Sequence, residues 1–135
     1  MIKKLALVVV LSLTLSACLP NLGGSGGPVS SGKFLVGQIP NGFPNLPIYK
    51  KAKILEGYGL NNKFGVSALT GDSLTKVLDF YNKSLGPGGW NFKLRQASTS
   101  NYVFDVNNST YNGTVIINTA ADGKSTAISI ALAPR

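Results

Sequence analysis

Glu56, Asp72, Asp79, Asp105 and Asp122 are the only carboxylates in this chain of 135 residues; histidine is absent and Cys18 is the single cysteine. Those residue types bound the chemistry. The commonest general base and the commonest metal ligand are both missing without histidine, and one cysteine cannot close an internal disulfide. Glycoside hydrolysis needs two carboxylates facing each other across a substrate. Asp72 stands where a helix begins, Asp79 on that helix's polar side and Asp122 in a turn, which leaves Glu56 and Asp105 free to pair. A serine nucleophile would need a lysine for its base, and Ser73-Leu74-Thr75-Lys76 supplies that spacing at a helix start. Gly86-Pro87-Gly88-Gly89 follows the helix instead of preceding it, so the N-terminal amides that hold a phosphate are lacking there. The expectation is a protein that is not an enzyme and needs no metal or cofactor.

The basic side chains are more numerous, 13 against 5 acidic. Beyond Lys3 and Lys4, five of them gather in two groups, Lys50, Lys51 and Lys53 before the first strand, and Lys93 and Arg95 on one face of a later strand. Either group could meet an anionic headgroup layer or an acidic polymer, each charge adding ~1 kcal/mol near such a surface. The competing expectation is a solvated face that keeps a small domain soluble.

The elements that must carry these residues are legible from periodicity. Leu19 to Pro47 is crowded with Gly, Pro, Ser and Asn, the composition of a tether. Phe34, Leu35, Val36, Ile39 and Phe43 exceed what a linker needs, so its second half has two readings, free chain or an arm packed on the domain. The domain boundary is set at residue 47. Ala52–Tyr58 reads as a strand of poor alternation and Lys63–Leu69 as a clear one, with Asn61-Asn62 as a hairpin turn between them. Leu74, Val77, Leu78, Tyr81 and Leu85 form one helical stripe, with Asp72 as N-cap and, as stop, Gly86 in the left-handed cap position followed by Pro87, giving a helix over about 72–85.

Strict alternation then marks four strands. Their inward sets are Trp90, Phe92 and Leu94; Tyr102, Phe104 and Val106; Val115 and Ile117; and Ile128, Ile130 and Leu132. Asn107-Asn108 and Asp122-Gly123 supply turns. The order β-β-α-β-β-β-β predicts an α+β fold, an antiparallel sheet with one amphipathic helix packed on its apolar face.

The beginning of the chain has a different logic. Lys3 and Lys4 precede an apolar run from Leu5 to Ala17, 13 residues long, whereas a helix needs roughly 20 to cross a bilayer. A charged n-region, a short apolar h-region and small residues before a cut are the parts of a secretory signal. Leu15-Ser16-Ala17-Cys18 resembles the bacterial lipobox at all four positions. The resemblance implies cleavage before Cys18, a lipid on its thiol, and membrane attachment through that anchor. Residues 1–17 are then a signal peptide and 18–46 the lipidated tether. The exported address argues against nucleic acid as a partner, and the surplus of basic residues then favours headgroups or envelope glycans. Leu19 is not the aspartate resembling an inner-membrane retention signal; this implies the outer membrane in a two-membrane cell, and otherwise the outer face of the cytoplasmic membrane.

Residues 47–135 resemble a recurrent small module of bacterial lipoproteins and secreted proteins. Pro47-x-Tyr49, Phe80-Tyr81, Gly89-Trp90 and the Ile-x-Ile ending carry the resemblance, while Lys50-Lys51 stand where many such modules have Pro-Gly. It implies a fold and no reaction. The expected function is a lipid-anchored envelope module acting by binding or assembly, with an envelope protein or anionic polymer as partner. The alternatives are a small apolar or glycan ligand held between helix and sheet, and a lysine-assisted hydrolase. The Ser-x-x-Lys letters are similar to those of penicillin-recognising enzymes, but the other two motifs of that family are missing and the domain is too small for its fold.

Overall fold

A computed structural model describes residues 33–135. The expected signal peptide, Leu15-Ser16-Ala17-Cys18 and the first half of the expected tether lie outside the described residues. Seven strands and one helix follow in chain order: β1 (Lys33–Val36), β2 (Lys53–Leu60), β3 (Lys63–Thr70), α1 (Leu74–Ser84), β4 (Asn91–Ser98), β5 (Asn101–Asn107), β6 (Tyr111–Thr119) and β7 (Thr126–Pro134). All seven strands form one antiparallel sheet in the order β1-β2-β3-β7-β6-β5-β4. The last strand thus closes against β3 and occupies the centre, joining an N-terminal hairpin to a four-stranded meander.

The alternation read from the sequence sets the buried side of the sheet. Phe64, Val66 and Ala68 pair in register with Leu132, Ile130 and Ile128, and the last two pair onward with Val115 and Ile117. All are buried, in one cluster with Phe104, Val106, Val77, Tyr81, Leu85 and Trp90. The Tyr81 ring lies 6.1 Å from that of Phe104, and Phe80 meets Tyr49 edge-on at 5.1 Å.

Four local expectations are corrected. Residues 33–46, placed before the domain boundary with two readings open, take the second of them, an arm packed on the domain: β1 pairs with β2, Leu46 is buried, and Trp90 Nε1–H donates to the Asn45 carbonyl at 2.9 Å. The cap of α1 is Ser73, whose hydroxyl accepts the Lys76 N–H, not Asp72. The left-handed residue after the helix is Gly89, at φ +85°, and not Gly86. Leu94, expected inside, is exposed because β4 is the sheet's outermost strand.

The poor alternation of β2 also has a cause. A bulge between Ile54 and Glu56 inserts Leu55 and changes which residues face the core. Beyond it, Gly57 and Gly59 pair with the core residues Val66 and Phe64. A methyl on Gly57 would overlap the Gln38 carbonyl and lie 2.9 Å from Pro40 Cδ, and one on Gly59 would lie 3.0 Å from Pro40 Cβ. The two glycines are the bed on which the arm crosses the sheet. Asn61 and Asn62, both at positive φ, make the β2–β3 hairpin turn as the sequence suggests.

Candidate functional site

Each residue type with chemical potential has a definite place. Asp72 sits at the junction of the arm, the β3–α1 link and β7. The Tyr49 hydroxyl donates to its Oδ2 at 2.5 Å, the Lys51 and Lys76 ammonium groups stand 3.8 Å from its oxygens, and Thr126 Oγ1–H donates to its backbone carbonyl at 2.8 Å. The Tyr49 hydrogen bond, aided by the two lysines, holds the Asp72 carboxyl below its ordinary value despite partial desolvation, and the same bond raises the Tyr49 phenol. Asp79 pairs with Lys83 along the helix at 2.8 Å. Asp122 organises the β6–β7 turn by accepting from Ser125 and the Lys124 N–H, which lowers its value.

Glu56 and Asp105, the pair left free by the sequence, are not brought together. They lie on β2 and β5, four strand spacings apart, or about 19 Å. Asp105 is moreover gripped by Arg95 in a two-pronged contact of 2.5 and 3.0 Å, which lowers the carboxyl and raises the guanidinium. The Ser73 hydroxyl is engaged in the helix cap, while Lys76 reaches Asp72. Among the described residues no group of three metal-ligating side chains occurs, and no helix is long and apolar enough to cross a membrane.

The two basic groups fall at opposite sides of the molecule. Lys50, Lys51 and Lys53 are exposed ahead of and at the start of β2; Lys93 and Arg95 are exposed on β4, five strand spacings away, or about 24 Å. They do not form one continuous anion-binding patch, and Arg95 is already engaged by Asp105.

What the fold does assemble is the sheet's other face. Opposite the core, β3 and β7 present Gly65, Ser67, Ala127, Ser129 and Ala131, all small and uncharged. Bulkier groups flank this floor: Phe34 and Tyr58 on one side, their rings 4.9 Å apart, and Ile116 and Val103 on the other. Between the aromatic pair and the floor lies an open trough of about 210 Å³, lined by Phe34, Glu56, Tyr58, Gly65, Ser67 and Ser129. Glu56 is the one carboxylate with no hydrogen bond or ion pair among the described residues. Such a trough offers ring faces, two hydroxyls and an anion, enough to seat one ring-sized or alkyl group with a polar edge. A second hollow, of about 240 Å³ and bounded by Leu35, Gln38, Ile39, Pro40 and Asn41, borders the same edge strand.

Neither cavity is the one expected between helix and sheet, where Tyr81 and Trp90 are instead buried in the core. Sequence reasoning named Glu56 only as half of a carboxylate pair and did not place Phe34 beside it. The signal was the apolar Phe34-Leu35-Val36 inside a polar stretch, and the glycine pair at 57 and 59 that marks where this arm must lie. Comparison with known proteins gives no match: no family model fits the chain, and no curated protein or solved structure is similar to it.

Proposed function

We infer that this chain is an exported bacterial lipoprotein, anchored by acyl chains on Cys18, whose α+β domain works by binding or assembly at the cell envelope and not by catalysis. In a two-membrane cell Leu19, following the anchor, favours the outer membrane. The observation that carries the binding reading is the open sheet face. Between Gly65 and Ser67 on β3 and between Ala127 and Ala131 on β7 it bears only small neutral side chains, and beside them an unpaired carboxylate and two rings tilted against each other border a trough, while all four aspartates hold structural contacts. Four-residue agreement at Leu15-Ser16-Ala17-Cys18 supports the anchor, because one acyl chain holds a protein marginally and two or more hold it firmly.

The fold proposed with this function has α1 covering the apolar face, leaving the opposite face as the working surface. Topology supports it: the link containing α1 must bridge from β3 to β4 past three intervening strands. An 11-residue helix is about 16 Å long and the four spacings are about 19 Å. Its buried residues Val77 and Tyr81, with Leu85 at its end, share a cluster with the sheet.

The test is made in the native cell. Cys18→Ser should leave an uncleaved or soluble species, and cross-linking of the intact protein should recover envelope components that are lost when the open face is blocked by Ser129→Arg. A processed, lipid-bearing Cys18→Ser product would overturn the anchor. Cross-links unchanged by Ser129→Arg would overturn the role of the face.

A further inference from the structure

We propose that the β1 edge is a bilayer-contact surface, on which Phe34, Val36 and Leu55 enter the headgroup layer of an anionic leaflet while Lys50 and Lys53 meet its phosphates. This rests on the lipid-anchored reading above and adds the orientation that reading leaves open. Five large apolar side chains are exposed among the described residues. Four of them, Phe34 at 72%, Val36 at 85%, Leu55 at 40% and Ile39 at 38%, belong to β1, the turn after it and the adjoining bulge of β2. Apolar residues scattered singly over a surface need no explanation, but a cluster on one short edge does.

Register gathers them. Val36 lies opposite Glu56, and the Gly37 N–H donates to the Leu55 carbonyl at 2.9 Å, so the end of β1 is fastened to the bulge. Lys53 precedes Leu55 by two residues, and Lys50 stands exposed just before the strand. Apolar and aromatic groups flanked by lysines match the layered chemistry of a leaflet, hydrocarbon below and phosphate above.

The anchor decides between a bilayer and a protein strand as occupant. Fourteen residues lie between Cys18 and Lys33, a reach of at most about 50 Å, and the chain from the anchor enters the sheet at this edge. Tethering keeps the local concentration of membrane high, so weak contacts suffice. Strand addition, by contrast, favours a long free edge; β1 has four residues and β4, on the far side, has eight. Glu56 opposes the lysines on an anionic leaflet, so Glu56→Gln should strengthen the contact there.

The experiment uses the full lipidated protein reconstituted into vesicles of phosphatidylcholine with phosphatidylglycerol. Brief amine labelling is read residue by residue by mass spectrometry and compared with the Phe34→Ser/Val36→Asp variant, whose substituted positions are exposed and whose thermal transition is checked against the parent. The parent should show several-fold slower labelling at Lys50 and Lys53 than the variant, with Lys83 and Lys93 labelled equally in both. Protection of Lys50 and Lys53 should weaken in pure phosphatidylcholine and in high salt. Equal labelling of Lys50 and Lys53 in the two proteins, or protection centred on Lys93, would overturn the proposal. Intact mass of the same preparation reports separately on the anchor. If Cys18 proves unmodified, the anchor reading fails alone, and coupling its thiol to a maleimide lipid allows the edge to be tested by the same labelling.

Discussion

Gly57→Ala should lift the arm off the sheet. The added methyl would overlap the Gln38 carbonyl and press on Pro40 Cδ at 2.9 Å, both parts of the segment that crosses β2. Backbone on one side and a ring on the other leave no flexible side chain to swing away, so the arm itself must move. Overpacking of this kind costs about 1–3 kcal/mol, and replacing a strand glycine returns at most about 1 kcal/mol of chain entropy. The expected net loss is about 1–2 kcal/mol, which for a domain of this size lowers the thermal midpoint by roughly 5–10 °C. Urea unfolding measures the loss, and limited proteolysis locates it: cleavage between Pro40 and Leu46 should accelerate while the meander stays protected. A smaller dependence of stability on urea would accompany it if the arm is already detached in the folded state, since less surface is then exposed on unfolding. An unchanged midpoint with unchanged proteolysis would mean that residues 38–40 do not lie over Gly57, and the arm's place in the fold would be wrong.

Three further outcomes follow from the same contacts. Trp90→Phe removes the donor to the Asn45 carbonyl and should cost about 1–2 kcal/mol; combined with Gly57→Ala the losses should be less than additive, because both act on the arm. Tyr81→Phe should leave urea stability within about 0.5 kcal/mol of the parent or raise it, since the buried hydroxyl has no well-formed hydrogen bond, only a weak contact with the Tyr49 backbone, and deleting it relieves a desolvated group; a loss above about 1 kcal/mol would refute this. The Asp72 carboxyl is held below its ordinary value, so its contribution is present above the unfolded-state value of about 4 and is lost as pH falls through the lower folded-state value. Urea midpoints of the parent and Tyr49→Phe should therefore converge on acidification below about pH 4; a constant difference would show that the Tyr49–Asp72 bond is not responsible.

How much was legible depended on whether a signal was local. Strict alternation in β3, β5, β6 and β7 named the buried side chains, because a strand with one apolar face has only one usable register. Asn61-Asn62 gave its turn because both residues tolerate positive φ. The arm could not be read in this way. Its residues are ordered by two glycines on β2 and by one indole N–H some 45 residues downstream, and tertiary contacts of that kind leave no periodic trace. The edge position of β4 was equally hidden, so Leu94 looked like core. Asp and Ser both suit a helix cap, so residue type alone does not choose between Asp72 and Ser73; the Tyr49 hydroxyl, 23 residues earlier, is what draws Asp72 into another role.

The candidate site shares that origin. Phe34 and Tyr58 meet, their rings tilted, because β1 pairs with β2, and Glu56 lacks a partner because its register sets it between the neutral residues Val36 and Ser67. Glycines 57 and 59 therefore serve two purposes. They admit the arm to the core face, and by holding it there they fix β1 as the edge strand, with Phe34 and Val36 turned to the open face. Loosening the arm should thus weaken the membrane contact proposed for that edge, even with Phe34, Val36 and the lysines unchanged. Gly57→Ala provides that separation: if labelling of Lys53 on vesicles rises to the level of the Phe34→Ser/Val36→Asp variant while the meander remains folded, the contact depends on the strand that presents those side chains and not on their hydrophobicity alone.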